Sequence, residues 1–207
     1  CEKLDEEEQV GWIEVNISCP NVHGGGMGFG TDAKTAAEVT RAVKSVTKKP
    51  IIIKLTPNVT DIASIAKACE EAGADGISLI NTLLGMRIDL KSKKPILANK
   101  MGGFSGNAVF PVALRMVWQT AQAVSIPILG LGGISTWQDA VEFMLAGASA
   151  VAVGAHNFVD PRAVETIAEG LDKALAAIKP DQVLCIVGSL YIQGEVRKYF
   201  RKRYHIE

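Results

Sequence analysis

The sequence predicts an α/β protein with a parallel β-sheet, best described as an incomplete (β/α)8 TIM barrel containing the last five βα units. Short, β-branched, almost wholly apolar runs alternate with longer Ala-rich stretches of helical periodicity. This alternation is expected for strands buried on both faces and for the helices that cover them. Polar or glycine-rich residues follow every apolar run. A doubly wound open sheet gathers such residues at one switch point, whereas a barrel collects them from every strand end, so the barrel is favoured.

Five strands and five helices are predicted in strict alternation. The strands are expected at residues 12–17, 51–55, 76–80, 127–131 and 150–153, and the helices at residues 32–46, 59–72, 110–123, 136–146 and 161–178. Side-chain oxygens suited to N-caps stand at residues 31–32, 60–61 and 135–136. Similar Ala-Gly-Ala sequences around Gly73 and Gly147 are typical of a helix end that turns into the next strand.

Two stretches depart from this alternation. Residues 83–106 form a long excursion between a strand and its helix, rich in Lys, Gly and Asn. Loops of that length are uncommon unless they carry function, and a plain surface insertion is the alternative. Residues 190–207 are basic and aromatic, and we expect a solvated terminal helix or a non-native end rather than a partner helix or a nucleic-acid contact. The predicted domain organisation is one barrel unit over residues 1–189 followed by this tail.

Composition excludes several classes of protein. The 22 basic side chains balance the 22 acidic ones, so no whole-protein field attracts nucleic acid or an anionic membrane. The apolar runs are too short to span a bilayer, and the acidic start does not resemble a signal peptide. The four cysteines lie far apart, which argues against disulfides, a zinc site or an iron–sulphur cluster. We therefore expect a metal-free protein of the reducing cytoplasm.

Residues able to do chemistry stand where the predicted strands end, which is where a βα barrel places its active site. Glycine pairs and single glycines after the last two strands allow an anion to approach the backbone closely, which favours a phosphate site over tight turns alone. A lysine ending the second strand points either inward to an anionic partner or outward to water, and the sequence leaves both open. A cysteine in the first loop is a nucleophile, a base or a small buried hydrophobe. These residues are Asn16, Cys19, Asn21, Lys54, Asn81, Thr82, Gly132, Gly133, Gly154 and Ala155.

Several motifs in order make the sequence similar to a known family. They are Asn-Ile-Ser-Cys-Pro-Asn at residues 16–21, Lys-Leu-Thr-Pro-Asn-Val-Thr-Asp at 54–61, Ile-Asn-Thr-Leu-Leu at 80–84, Met-Arg-Ile-Asp-Leu at 86–90, Pro-Ile-Leu-Ala-Asn at 95–99, Gly-Gly-Phe-Ser-Gly at 102–106, Gly-Leu-Gly-Gly-Ile at 130–134 and Leu-Ala-Gly-Ala-Ser-Ala at 145–150. From about residue 12 to about residue 178 the chain resembles class 1 dihydroorotate dehydrogenase, most closely the catalytic subunit of its B-type.

The resemblance implies an FMN-dependent oxidation of (S)-dihydroorotate to orotate in de novo pyrimidine biosynthesis, the route to UMP. Cys19 matches the base that removes the C5 proton while hydride passes from C6 to flavin N5. The positions matching substrate contacts are Asn16, Asn21, Asn81 and Thr82. The positions matching FMN contacts are Asn16, Lys54, Ile80, Gly106, Gly132, Gly133, Gly154 and Ala155.

The B-type resemblance also implies a partner subunit carrying FAD and an iron–sulphur cluster that passes electrons to NAD+, in a heterotetramer built on a homodimer. Relatives of the A-type use fumarate instead. The family's first three strands are not found before Trp12, so we expect the isolated chain to bind FMN poorly. Two alternatives are a dihydropyrimidine dehydrogenase-like flavoenzyme, in which His replaces Asn21 and cluster cysteines are usual, and a non-catalytic barrel fragment that binds a phosphate ligand.

Overall fold

The computed structural model describes residues 1–18 and 26–174. Its strands are β1 (Ile13–Asn16), β2 (Ile51–Lys54), β3 (Gly76–Leu79), β4 (Leu83–Gly85), β5 (Ile88–Asp89), β6 (Lys94–Pro95), β7 (Gly102–Phe104), β8 (Ile128–Leu131) and β9 (Ala150–Ala152). The main sheet is parallel and has the order β1-β2-β3-β8-β9. This order follows the chain without reversal, whereas a doubly wound sheet reverses at a switch point. The prediction of five βα units of a barrel is therefore confirmed.

The five predicted helices are present, and the first four of them are slightly shorter than predicted. The helices are α1 (Glu2–Asp5), α2 (Gly26–Gly30), α3 (Ala33–Lys44), α4 (Ile62–Glu71), α5 (Phe110–Ala121), α6 (Trp137–Leu145) and α7 (Ala163–Ala174), with 3-10 turns at Asn107–Val109 and Ala155–Phe158. Periodicity does not indicate α1 or α2, because each is a single turn. The predicted end of the last helix at residues 175–178 lies outside the described residues, as does the basic tail. In the part of the chain that is described, no helix has the length and apolar character needed to cross a bilayer.

Helix ends follow the predicted capping chemistry. Asp32 and Asp61 accept hydrogen bonds from backbone N–H groups three residues later, at 2.8 and 3.1 Å. Thr136 and Asp139 form a reciprocal capping box at the start of α6. Gly147, which follows α6, has a φ of +110°, a conformation that favours glycine. These local signals explain why the helix starts were predictable to within a few residues.

The two faces of the sheet differ in environment. Alternate residues such as Ile51, Ile53 and Ile77 are fully buried in the core that the strands share with the helices. The other alternate set includes Glu14 and Lys54, which are partly exposed, and Ser78 and Leu129, which are buried. This second face is the one that turns inward when a parallel sheet closes into a barrel. Within the described residues β1 and β9 each pair along one edge only, so these strands do not close into a ring.

Residues 83–106 form an arm of two antiparallel strand pairs rather than an irregular loop. Strands β4 and β7 pair with Leu83 opposite Phe104, and β5 pairs with β6 with Ile88 opposite Pro95. Strands of two or three residues are too short for period-two alternation to indicate them. The arm therefore differs from the expectation of a long loop. It lies beside the residues that directly follow β3.

Strand β8 packs against α6 at a position that has no room for a side chain. A Cβ atom on Gly130 would lie 2.5 Å from Cδ1 of Phe143, which is fully buried and in edge contact with Phe110, ring centroids 5.5 Å apart. Because Phe143 is fixed by these neighbours, a larger residue at position 130 must displace the helix.

We predict that Gly130→Ala lowers the free energy of unfolding by about 1–3 kcal/mol, the usual cost of overpacking a core. Urea unfolding monitored by circular dichroism measures the change. Gly11→Ala is the matched control, because a Cβ there meets no atom within 4 Å, and it should change stability by less than about 0.5 kcal/mol. Equal stabilities for the two variants would contradict this packing.

Candidate active site

Asn16, Ser18 and Asn81 join the carboxyl ends of two strands in one hydrogen-bond network. Oδ1 of Asn16 accepts from N and Oγ of Ser18, at 3.1 and 2.9 Å, and from Nδ2 of Asn81 at 3.1 Å. Nδ2 of Asn81 also donates to Oγ of Ser18 at 2.7 Å. Oγ of Ser18 lies 3.1 Å from the carbonyl oxygen of Lys54, so the network reaches the end of β2 as well. The predicted convergence of Asn16 and Asn81 is therefore present.

This network fixes which atoms of the two amides face the site. A backbone N–H can only donate, so the atom of Asn16 that it contacts is the carbonyl oxygen, and Nδ2 of Asn16 points elsewhere. No acceptor among the described residues contacts that Nδ2. Oδ1 of Asn81 accepts from N of Thr82 at 2.7 Å and keeps one lone pair. Asn16 thus offers donors at the strand ends, and Asn81 offers an acceptor.

Thr82 is held by a residue that the sequence did not single out. Nδ2 of Asn58 donates to the carbonyl oxygen of Thr82 at 3.0 Å, and Oδ1 of Asn58 accepts from N of Leu84 at 2.8 Å. The side chain of Thr82 lies against Gly103 of the arm, where a Cβ would collide with it. Asn58 therefore fixes the base of the arm beside the strand end that carries Asn81.

Lys54 lies on the inner face of the sheet and has an anionic partner. Its Nζ is 3.1 Å from Oε1 of Glu14, and the two side chains are 21% and 27% exposed. The register aligns Asn16 with Lys54, and Glu14 is two residues before Asn16, so both charged side chains project from the same face. Of the two orientations that the sequence left open for Lys54, the inward one is correct.

The ends of β8 and β9 form a backbone surface that only glycine allows at two positions. Gly132 and Gly133 have φ angles of +136° and +77°, and a Cβ on them would lie 2.6 Å from Cβ of Ala113 and 2.8 Å from N of Phe110. At Gly154, on the neighbouring strand end, a Cβ would project into open space. No carbonyl among the described residues accepts from the N–H groups of these three glycines. The arrangement can donate several backbone hydrogen bonds to an anion.

The remaining predicted flavin contacts surround this surface. Ile80 is buried, and its side chain lies against Gly132, where an added Cβ would come within 3.2 Å of it. Gly106 has a φ of +101° and ends the arm in open space, where an added Cβ would meet no atom within 4 Å. Ala155 begins a 3-10 turn. Asn107, which follows Gly106, donates to Oγ of Ser135 at 3.2 Å and so ties the end of the arm to the loop after β8.

Cys19 and Asn21 lie outside the described residues, in the segment 19–25. Cys69, by contrast, is fully buried on α4. Burial raises the pKa of the Cys69 thiol and outweighs the opposing effect of its contact with Thr40, which favours the neutral, unreactive form. The interpretation of Cys69 as a small core residue is confirmed.

The family model described as dihydroorotate dehydrogenase matches residues 1–175. The chain belongs to the dihydroorotate dehydrogenase family. It is 58% identical over 191 residues to the catalytic subunit of dihydroorotate dehydrogenase B (NAD(+)) from Geotalea daltonii, an alignment covering 92% of this chain and 63% of that protein. It is 60% identical over 184 residues to the protein of the same description from Alkaliphilus metalliredigens, covering 89% of this chain and 61% of the relative.

A solved dihydroorotate dehydrogenase shares the fold. The crystal structure of the Eimeria tenella enzyme in complex with ferulenol superposes with a TM-score of 0.67 at 22% identity, covering 81% of this chain and 50% of that one. The chain thus spans about three fifths of the length of its curated dihydroorotate dehydrogenase relatives. The five-stranded sheet corresponds to part of the dihydroorotate dehydrogenase barrel.

Four residues of this candidate site were not singled out from the sequence: Glu14, Ser18, Asn58 and Ser135. Glu14 was detectable in principle, because a carboxylate inside an apolar strand needs a cation nearby. The others carry no such signal, since polar residues in loops have many uses.

We predict that Lys54 and Glu14 are energetically coupled by about 0.5–1 kcal/mol, as expected for a half-buried pair. A double-mutant cycle with Lys54→Met and Glu14→Gln, read by urea unfolding, measures this coupling. It should decrease when the salt concentration is raised from about 0.05 M to about 1 M, because ions screen the pair. Strictly additive effects of the two substitutions would show that the contact does not persist in solution.

Proposed function

We propose that this chain is the flavin- and substrate-binding part of a dihydroorotate dehydrogenase that oxidises (S)-dihydroorotate to orotate with FMN. The observation that carries the proposal is the junction of Asn16, Ser18 and Asn81, which leaves amide donors at the end of β1 and an acceptor after the end of β3. It stands in the same sheet as the glycine-rich ends of β8 and β9. The relatives described as dihydroorotate dehydrogenase B support the choice of reaction.

The residues present fit FMN. Gly132, Gly133 and Gly154 supply backbone donors for its phosphate, together with Ala155 at the start of a 3-10 turn. Lys54 supplies a cation for the electron-rich edge of the ring. The other residues that would hold the ring are Asn16, Ile80 and Gly106. When bound, FMN supplies the acceptor for the hydride from C6 of the substrate.

Substrate binding is assigned to Asn16, Asn21, Asn81 and Thr82. The free Nδ2 of Asn16 suits a carbonyl oxygen, and the remaining lone pair on Oδ1 of Asn81 suits a ring N–H. A planar pyrimidine acid presents both kinds of group. Fixed amides hold such a ring in register without the entropic cost of ordering them during binding.

Cys19 is proposed as the base that accepts the C5 proton. It directly follows Ser18, whose Oγ and N are hydrogen-bonded to Asn16, so the residue before Cys19 belongs to the site itself. A thiol is well suited to this task when its surroundings favour the thiolate. A partner subunit carrying FAD and an iron–sulphur cluster would pass the electrons to NAD+, within a heterotetramer built on a homodimer.

We predict that the isolated 207-residue chain retains far less than one FMN per chain. The sheet edges of β1 and β9 are unpaired in the described residues, and ring contacts from further strands are needed to enclose a flavin. The flavin absorbance of purified protein measures occupancy. The control is the same chain extended with the part of the Geotalea daltonii relative that its alignment leaves uncovered, which should bind FMN. Stoichiometric FMN on the isolated chain would contradict the prediction.

We predict that Cys19→Ser, in the FMN-loaded enzyme with all barrel strands, slows flavin reduction by dihydroorotate roughly 10²–10⁴-fold while FMN stays bound, the range expected on loss of a general base. Anaerobic stopped-flow absorbance gives the rate, and dihydrouracil in place of dihydroorotate tests the substrate. Cys1→Ser, at an exposed cysteine, is the control. An unchanged rate would remove Cys19 from the mechanism, and faster reduction by dihydrouracil would overturn the substrate assignment.

A further inference from the structure

Ser18 is a buried serine at which three strands meet. It is 1% exposed. Its Oγ contacts Oδ1 of Asn16 at 2.9 Å, Nδ2 of Asn81 at 2.7 Å and the carbonyl oxygen of Lys54 at 3.1 Å. Neither its position in the sequence nor its residue type singles it out, and the proposed function gives its hydroxyl no role in the reaction.

The donors and acceptors around Ser18 assign each contact a direction. Nδ2 of Asn81 donates to Oγ, because an amide nitrogen has no lone pair to accept with. The single hydroxyl hydrogen is left for Oδ1 of Asn16 or the carbonyl oxygen of Lys54, both of which are acceptors. The hydroxyl therefore acts both as donor and as acceptor, and because Ser18 is buried, bulk water does not reach it to replace these bonds.

Removing this hydroxyl changes what the neighbouring amides present. The short bond from Asn81 is lost, and Asn81 then keeps one bond to Asn16 and one from Thr82. An amide held by fewer bonds rotates more freely and can exchange its oxygen and nitrogen. The link from the residue before Cys19 to the end of β2 is lost at the same time.

We propose that Ser18 is a positioning residue for dihydroorotate oxidation: its hydroxyl fixes the amides of Asn16 and Asn81 and ties the residue before Cys19 to the end of β2. This inference rests on the proposed function. It assigns Ser18 no contact with the substrate and no proton transfer of its own.

A second buried serine offers a matched comparison. Ser78 on β3 is also fully buried, and its Oγ has no hydrogen-bond partner among the described residues. Ser18→Ala and Ser78→Ala remove the same atoms from equally buried sites, and they differ in whether the lost hydroxyl was engaged. An effect of Ser18→Ala beyond that of Ser78→Ala is therefore an effect of the hydrogen bonds.

The experiment uses the FMN-loaded enzyme and measures FMN content, the orotate dissociation constant from flavin absorbance, and the rate of flavin reduction at saturating dihydroorotate. Ser18→Ala should keep its FMN, weaken orotate binding and slow reduction about 10–100-fold, the size expected when reacting groups are misplaced by about 1 Å. Ser78→Ala should stay within about twofold of the parent enzyme. A parent-like rate and orotate affinity in Ser18→Ala would overturn the proposal.

The double variant Ser18→Ala/Asn81→Ala tests whether Ser18 acts through the amide. If it does, the double variant is little slower than Asn81→Ala alone, because the positioned group is already missing. If the rate loss in the double variant equals the product of the two single losses, the proposed route is overturned.

If Ser18→Ala cannot be loaded with FMN, Ser18→Cys is used instead, because it keeps a side chain of similar shape with a weaker hydrogen-bonding group. A slowed rate in Ser18→Cys with FMN bound supports the proposal, and a parent-like rate overturns it.

The outcomes separate this inference from the function on which it rests. Parent-like rates in both Cys19→Ser and Asn81→Ala would reject the proposed function itself. Slow reduction in those two variants with parent-like reduction in Ser18→Ala would leave the function standing and reject only the role of Ser18.

Discussion

The register of the parallel sheet is the constraint on which the candidate site depends. Asn16 is aligned with Lys54, and Lys54 is aligned with Ser78, so the ends of β1, β2 and β3 lie level with one another. A shift of one residue in any of these strands would move its inner-face side chains to the helix side. Ser18 contacts the end of β2 and the residue Asn81 after β3 because this register brings the ends of the three strands to the same level.

The register is in turn held by the helix layer on the other face. Fully buried isoleucines of β2 and β3 pack in the same core as residues of α4 and α5, and Gly130 allows α6 to approach β8 through Phe143. Apolar packing of this kind is non-directional, but successive side chains of a strand point to opposite faces. Burying one set of them therefore determines which side chains of each strand face the helices. Stability therefore resides mainly on the helix side, which leaves the inner face and the strand ends available for polar residues.

The sequence predicted the secondary-structure elements and the order of the site residues along the chain better than it predicted how those residues are arranged in space. Helical periodicity and capping residues locate the five long helices, because each signal is local. The sequence did not predict which side chains of β2 face the helices, because Ile51, Ile52 and Ile53 are equally apolar. Only the structure shows that Lys54 shares a face with Glu14. Ser18 was missed for a related reason. Its importance comes from partners 36 and 63 residues away in the chain, which no local pattern contains.

The pairing of Lys54 with Glu14 bears on how such a site accommodates an anion. A lysine that is mostly withdrawn from solvent is costly without a counter-charge, and Glu14 provides one within the same face of the sheet. A pair of this exposure contributes at most about 1 kcal/mol, so it holds Lys54 in place without binding it tightly. Negative charge that arrives or develops nearby can then interact with a cation that is already desolvated and oriented. The strand ends thus combine weakly paired charge, fixed amides and, within the described residues, backbone N–H groups that no carbonyl accepts from.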